Sequence, residues 1–155
     1  MAESDSNWPW LRSYPPGIDW FARFAEEPLH QLLEDSARRF ADRPCLDFLG
    51  KRYSYAEIGA WARRAAKGFA ALGVTRGTRV ALMLPNTPYY VVAYYGILAA
   101  GGTVVNLNPL YAPPEIHHLV EDSGAEIVLT LDLPAHLGLL TPLLGRASLR
   151  DSIAA

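Results

Sequence analysis

Two neighbouring histidines, His117 and His118, are the pair in this sequence that most resembles a metal-binding motif. They fall on a predicted helix that begins at Pro113, where consecutive side chains point about 100° apart. The two rings therefore cannot coordinate one ion from one face. Glu121 and Asp122 each follow one histidine by four residues, a spacing that favours ion pairs on a helix surface. We expect such ion pairs here and no metal site.

Cys45 is the single cysteine, so the chain can form neither an internal disulfide nor a cysteine-based metal cage. It follows Pro44 at the start of a predicted strand, where a small buried apolar side chain is the simplest interpretation. No serine lies in a G-x-S-x-G turn. His30 and His136 have no partner in the sequence, so the residues supply no candidate catalytic group.

Phosphate-binding loops need closely spaced glycines that lead into the amino end of a helix. Neither G-x-G-x-x-G nor G-x-x-x-x-G-K-[ST] occurs. Gly101 and Gly102 follow a predicted helix and precede a strand, which is the reverse of the required order. Gly68, Gly73 and Gly77 belong to a helix and the turn after it. We predict no phosphate loop, which also disfavours a dinucleotide-dependent oxidoreductase.

Four tyrosines form two aromatic steps on one predicted helix: Tyr89, Tyr90, Tyr94 and Tyr95. Packing in the core is the favoured interpretation of such a face. The same face could instead line an apolar tunnel, and the sequence leaves both uses open.

The chain carries 14 basic and 16 acidic side chains, a formal net charge of −2. Proteins that bind nucleic acid usually carry a dense basic stripe, so we expect no nucleic-acid partner. Basic side chains do cluster, but on a predicted helix face and its exit loop, where solvent exposure is the ordinary outcome. They are Arg63, Arg64, Lys67, Arg76 and Arg79.

The first residues, MAESDSNW, are polar and acidic, unlike the start of a secretory signal. We therefore expect a cytoplasmic location, which also suits a chain with no disulfide option. The stretch from Val80 to Pro114 contains no charged residue, but Pro85, Pro88 and the paired glycines at 101–102 divide it. Each piece is shorter than the roughly 20 residues of a spanning helix. We expect buried core elements and at most a peripheral association with membranes.

Alternating patterns predict an α/β fold. Helices are predicted at 29–40, 55–72, 88–100, 113–123 and 134–145, and strands at 45–49, 51–55, 79–84, 103–107 and 126–131. The first two strands, joined across Gly50, form a hairpin. The later strands alternate with helices, which implies right-handed crossovers and a mainly parallel sheet with helices on both faces.

Helix boundaries carry recognisable caps. Ser54 and Glu57 have the spacing of a capping box, in which each side chain accepts the amide of the other residue. Gly73 is placed to end that helix, and Asn86 or Thr87 to begin the helix at 88. The side chains expected to face inward from helix 55–72 are Ile58, Trp61, Ala62, Ala65, Phe69 and Leu72.

Residues 1–28 are rich in tryptophan, proline and tyrosine and have no usable period. We predict an extended arm, followed by an α/β subdomain over 29–155. The aromatic residues of the arm favour packing on the body of the protein, with a subunit contact through Trp8, Trp10 and Trp20 as the alternative. The last residues, RASLRDSIAA, do not resemble a finished domain edge, so we expect a truncated chain.

Several segments together carry a family resemblance. YSYAEIGAWARRAAKGFAALGVTRGTRVALMLPN and GILAAGGTVVNLNPLY resemble the first two signature regions of the acyl-adenylate-forming, AMP-binding superfamily. WLRSYP, NLNPLY and PPEIHHLVEDSGA are similar to the amino-terminal part of bacterial long-chain fatty-acid–CoA ligases. The resemblance runs from about Trp10 to Leu131.

The resemblance implies a parent enzyme that uses ATP, Mg²⁺ and CoA to convert a fatty acid through an acyl-adenylate to acyl-CoA. The motifs that would bind phosphate and magnesium in that family, and the domain that would supply its catalytic lysine, are absent from residues 1–155. We therefore assign no catalytic, cofactor-binding or metal-binding residue, and we expect an inactive scaffold fragment that works with the remainder of the ligase. The alternative is a stand-alone, non-catalytic α/β module that binds a partner or lipid.

Overall fold

A four-stranded parallel sheet forms the centre of the computed structural model, which describes residues 8–24, 26–145 and 149–154. Its strands are β3 (Arg79–Met83), β4 (Thr103–Asn106), β5 (Ile127–Thr130) and β6 (Asp151–Ala154), in the order β4-β3-β5-β6. All three pairings are parallel, which confirms the predicted sheet. The sequence did not predict β6, which pairs with β5 along its whole length.

Two helices cover each face of the sheet. On one face, Ala81, Met83 and Val128 pack against α4 (Pro113–Ser123) and α5 (Pro134–Leu140). On the other face, Val80, Leu82 and Ile127 pack against α2 (Tyr55–Ala71) and α3 (Pro88–Ala99). Alternate residues of each buried strand therefore supply two separate cores, as the pleat of a strand requires. Helices on both faces were predicted and are confirmed.

A third layer lies outside α2 and α3. It contains α1 (Gln31–Arg39) and a hairpin of β1 (Pro44–Phe48) and β2 (Lys51–Ser54), with Leu33, Ile58 and Ala62 at its centre. Helix α3 packs against this layer as well as against the sheet. Its lack of any charged residue follows from that position, because a helix buried on several sides has no polar face to present.

The predicted caps are confirmed at α2. The Ser54 amide donates to the Glu57 carboxylate at 2.7 Å, and the Glu57 amide donates to the Ser54 hydroxyl at 3.2 Å. Gly73 follows the helix with a φ of 79°, and the Val74 amide donates to the Phe69 carbonyl at 2.9 Å. This left-handed ending satisfies carbonyls that the helix leaves free.

Some details of the helices differ from the predictions. Leu72 is 40% exposed, because it borders an open apolar groove between α2 and α3. The last predicted helix, 134–145, ends at Leu140 and continues as a 3₁₀ turn over Thr141–Leu143. The basic cluster is exposed, as predicted.

The amino-terminal arm is not extended throughout. Pro9–Ser13 form a 3₁₀ helix, and further turns place the Ile18 and Ala22 amides on the carbonyls of Pro15 and Asp19. Proline at the start of the 3₁₀ helix costs nothing, since the amide that it lacks would have no partner there. No helix among the described residues has the length and apolar character needed to cross a membrane.

Candidate functional site

A pocket of about 540 Å³ opens where β3 and β4 end. Ligands of parallel α/β sheets bind outside the carboxyl ends of the strands, because the connecting loops diverge there. We call this site the carboxyl-edge pocket. Its walls are Leu84, Pro85, Asn86, Tyr90, Asn106, Leu107, Asn108, Pro109, Leu110 and Tyr111.

Two asparagine side chains of the pocket are held by hydrogen bonds. The Tyr90 hydroxyl, on the first turn of α3, lies 2.7 Å from Oδ1 of Asn106, the last residue of β4. Oδ1 of Asn108 accepts the Leu110 amide at 2.9 Å, and the Asn108 carbonyl accepts the amide of Tyr111 at 3.1 Å. This local turn leaves the Leu110 side chain 88% exposed at the mouth of the pocket.

The carboxyl-edge pocket contains no charged side chain. Burial raises the pKa of Tyr90, and the neighbouring Tyr94 adds to that effect, so the hydroxyl remains a neutral donor. A Mg²⁺–nucleotide needs carboxylates for the ion and cationic or bare amide donors for the phosphates. The described walls of the pocket do not fit that group, and no phosphate or metal step is assigned to them.

A second cavity of about 250 Å³ adjoins the first, since Asn86 and Tyr90 line both. It lies between the β1–β2 hairpin and the start of α3. Thr87 occupies the predicted capping position, but its hydroxyl makes no capping bond and is buried without a partner among the described residues. The remaining walls are Leu46, Asp47, Phe48, Pro88 and Val91.

An apolar groove of about 240 Å³ lies between α2 and α3, above the end of β5. Leu72 and Tyr89 border it from the two helices, and Leu129 and Ile153 form its floor. The tyrosines of α3 do not all pack in the same way, and their use in a tunnel stays a prediction. Tyr90 and Tyr94 stack at 6.1 Å against the core, whereas Tyr89 is exposed beside the groove.

The predicted ion pairs of α4 do not form. The described salt bridges join Asp35 to Arg38, Asp47 to Arg52 and Glu126 to Arg150, and neither His117 nor His118 takes part. Such exposed pairs gain little free energy, so nothing holds the side chains together. Among residues 8–24, 26–145 and 149–154, no three histidine, cysteine or acidic residues are grouped for a metal ion.

Two other predicted positions are placed as follows. Cys45 packs against the cluster around Leu33 and Ile58, and burial raises the pKa of its thiol. His136 lies 3.3 Å from the buried Thr130 hydroxyl, which itself donates to the Met83 carbonyl. This contact could not be predicted from the sequence, because it depends on how α5 returns across the sheet.

The arm tryptophans contact one another. The ring centroid of Trp8 is 5.2 Å from that of Trp10 and 6.2 Å from that of Trp20. Trp20 also meets Tyr14 edge-on at 4.8 Å. None of these residues belongs to the described core clusters, and Trp10 and Trp20 remain exposed. Their role in packing or in a subunit contact stays a prediction.

The asparagines of the carboxyl-edge pocket were not identified from the sequence as site residues. The available signal was their position: Asn86 follows one apolar strand, and Asn106 and Asn108 end or follow the next. Polar side chains at the carboxyl ends of neighbouring parallel strands converge on the usual ligand site of such sheets.

Comparison with known proteins places this fold in a family. The profile of the AMP-binding enzymes matches residues 33–152. The chain is 40% identical over 125 residues to a long-chain-fatty-acid–CoA ligase of Bacillus subtilis (strain 168), covering 81% of this chain and 22% of that protein. A ligase of the same name from Salmonella typhimurium is 38% identical over 138 residues, covering 82% of this chain and 23% of that protein.

The fold agrees with solved structures. The chain superimposes on the N-terminal domain of FACL13 from Mycobacterium tuberculosis with a TM-score of 0.75 and 26% identity, covering 83% of this chain and 34% of that one. The chain spans less than a quarter of the length of the two curated relatives, 22% and 23%. Because the family profile covers most of its length, the chain belongs to the AMP-binding enzymes, among which its similarity is to the amino-terminal part of the long-chain-fatty-acid–CoA ligases.

Proposed function

We propose that this chain supplies the first parallel sheet and the carboxyl-edge pocket of an ATP-dependent acyl-CoA ligase. The observation that carries the proposal is the family match over residues 33–152, which spans the whole of the sheet up to the middle of β6. The relatives from Bacillus and Salmonella are named long-chain-fatty-acid–CoA ligases. A long-chain fatty acid is therefore the proposed substrate of the complete enzyme.

In the proposed reaction a fatty carboxylate attacks the α-phosphate of ATP and pyrophosphate leaves. The CoA thiol then attacks the acyl-adenylate and AMP leaves. The described residues offer no charged group in the carboxyl-edge pocket for either phosphate or Mg²⁺. Their proposed share of the work is to form a rigid wall, while the remainder of the ligase provides the catalytic groups in the cytoplasm.

A chimeric ligase tests this function. Residues 33–152 would replace the matching segment of the Bacillus subtilis ligase, and the product would be assayed with oleate, ATP and CoA. We expect the chimera to form oleoyl-CoA and the isolated chain to form none. A folded chimera that makes no oleoyl-adenylate would count against the proposal, and thioester formation by the isolated chain would refute its scaffold role.

The apolar groove favours a second candidate, a stand-alone module that binds lipid without catalysis. Its walls include Leu72, Phe69, Val92 and Ile153, and none of the lining residues is charged. This candidate predicts that the isolated chain binds a fluorescent fatty acid and that Leu72→Glu weakens the binding at least tenfold. Absence of binding by the isolated chain would remove this alternative.

The arm leads to a separate proposal about assembly. Trp10 and Trp20 expose aromatic surface that the described body of the chain does not cover. If this surface joins two subunits, removal of residues 1–25 will convert a dimer to a monomer, as measured by light scattering. A dimer that survives the removal would leave the tryptophans with a packing role inside one subunit.

A further inference from the structure

We propose that the carboxyl-edge pocket selects an uncharged ligand that presents carbonyl oxygens, because two of its three asparagines, Asn106 and Asn108, are held as hydrogen-bond donors. This inference deepens the proposed function. The identity of the natural ligand rests on that function, whereas the preference for a carbonyl group is argued from the pocket residues alone. The residues concerned are Tyr90, Asn106 and Asn108, together with the Leu110 amide.

Asn106 is oriented by Tyr90. The tyrosine hydroxyl and Oδ1 of Asn106 lie 2.7 Å apart, a normal distance for a strong O–H···O hydrogen bond. A primary amide whose oxygen is engaged in this way keeps its NH₂ group as the remaining polar group. Asn106 is exposed and lines the pocket, so that NH₂ group is available to a ligand.

Asn108 is oriented by the backbone. A backbone amide can only donate, so the atom of Asn108 that lies 2.9 Å from the Leu110 nitrogen is the oxygen. None of the hydrogen bonds among the described residues uses its NH₂ group, which is therefore available to a ligand. Two amide donors, separated by one residue along the chain, border the same pocket.

The absence of charged side chains in the pocket lining further restricts the chemical class of the ligand. A carboxylate or phosphate would find no cation in the lining to balance its charge. An ammonium group would meet two donors and no carboxylate. A carbonyl oxygen accepts both donors and needs no balancing charge. The pocket therefore favours the carbonyl of an ester or amide.

Two parts of the proposed reaction contain an uncharged carbonyl, the activated acyl group and an amide of the thiol substrate. Methyl hexanoate represents the first and N-acetylcysteamine the second. Hexanoate and hexylammonium serve as charged probes of similar length. Each would be added to the ¹⁵N-labelled chain while the side-chain amide signals are followed by NMR.

The chain suits this measurement because it contains four asparagines and one glutamine. We expect at least one neutral probe to shift the NH₂ signals of Asn106 and Asn108, with an apparent Kd about three- to tenfold lower than that of either charged probe. The preferred neutral probe identifies the source of the carbonyl. The signal of Gln31, which bonds to Asp35 on α1, should remain unchanged.

Substitutions test whether the Asn106 NH₂ group donates to the probe or only lies near it. Asn106→Asp keeps an acceptor for Tyr90 but removes the donor, so hexylammonium should become the preferred probe. Tyr90→Phe should weaken the neutral probe about threefold or more by freeing Asn106 to turn. Tyr89→Phe is the matched control, because Tyr89 borders the apolar groove and not this pocket. This variant should bind the neutral probe with the affinity of the wild type.

Equal binding of charged and neutral probes would overturn the inference, as would an Asn106→Asp variant that keeps the original preference. Folding of each variant is verified by the backbone amide spectrum. These outcomes do not depend on catalysis. If the chimeric ligase fails to form oleoyl-CoA while the probes bind as expected, the proposed function is rejected. The preference of the pocket for a carbonyl group is then still supported.

Discussion

Leu49 occupies a turn position that ordinarily requires asparagine or glycine. Leu49 and Gly50 connect β1 to β2 with φ values of 51° and 77°. A two-residue hairpin turn with two positive φ angles is of type I′ and favours Asn-Gly. The Leu49 side chain is 91% exposed, so no packing offsets its conformational cost.

We expect Leu49→Asn to raise the free energy of unfolding by about 0.5–1 kcal/mol, since asparagine tolerates the left-handed region. Urea denaturation measures the change. Leu49→Ala is the control, because alanine lacks the short polar side chain that lets asparagine hydrogen-bond locally in the left-handed region, and it should give no gain. An equal gain from alanine would show that removal of the apolar side chain, not turn geometry, is responsible.

The capping box at Ser54 makes a second prediction at this scale. Ser54→Ala removes the acceptor for the Glu57 amide and should cost about 1 kcal/mol in urea denaturation. Ser54→Thr keeps the acceptor and should cost less than half as much. Similar losses in both variants would mean that the hydroxyl does not stabilise the helix.

Glu57 adds a pH dependence. Hydrogen bonds from the Ser54 amide and hydroxyl lower the pKa of its carboxyl below the ordinary 4.5. The unfolded chain thus binds a proton more readily, so this contribution is present above pH 4.5 and is lost as the pH falls through the lower folded value. Compared with Glu57→Gln, the wild type should lose more stability on acidification below pH 4.5. Parallel pH profiles would contradict this.

At the scale of elements, the contact between α2 and α3 depends on a glycine. A β-carbon at Gly96 would lie 2.8 Å from Cβ of Ala65 and 3.3 Å from the Ala62 carbonyl oxygen. The neighbours are helix backbone and a short side chain, which cannot move aside cheaply. The two helices can therefore approach this closely only because residue 96 has no side chain.

Gly96→Ala should lower the free energy of unfolding by about 1–3 kcal/mol through overpacking. Gly68→Ala on α2 is the matched control, because a β-carbon there meets nothing within 4 Å. Alanine's higher helix propensity should make the control more stable by roughly 0.5–1 kcal/mol. A neutral or stabilising result at residue 96 would show that the helices separate without cost.

At the scale of the whole molecule, the position of each strand in the sheet sets its resistance to opening. β3 and β5 are paired on both sides, whereas β4 and β6 have one described neighbour each. Central strands open only when the core does, while edge strands and turns can open locally.

Hydrogen exchange should follow that order. The amides of Val80, Leu82 and Val128 should exchange most slowly, those of β6 faster, and those of residues 8–24 fastest, because the arm has few backbone hydrogen bonds. NMR-detected exchange at neutral pH measures the rates. Protection of β6 equal to that of β3 would indicate that another segment covers its outer edge.

Local elements could be predicted from the sequence because their causes are local. The apolar run of β3 indicates a buried parallel strand, the Ser54–Glu57 spacing a helix start, and Gly73 a left-handed helix end. Each signal operates within a few residues, so it survives without knowledge of the neighbours. The α/β class and the parallel sheet followed from the order of these elements.

Features that depend on distant residues could not be predicted in this way. β6 has only four residues and a mixed pattern, and it becomes a strand because β5 offers an unpaired edge. Leu72 fits the apolar stripe of α2, yet it borders the open groove between α2 and α3 and stays exposed. Its exposure depends on how α2 and α3 pack around this groove, which a pattern within α2 does not report.

The sequence by itself thus determined where most of the helices and the parallel strands β3, β4 and β5 form, and it contains no complete catalytic motif within residues 1–155. The tertiary structure decided which polar side chains share a pocket. Tyr90 and Asn106 are 16 residues apart, and they meet because α3 crosses back over the sheet and β4 pairs with β3 in one register. A shift of that register by one residue would turn Asn106 to the other face, since side chains alternate along a strand.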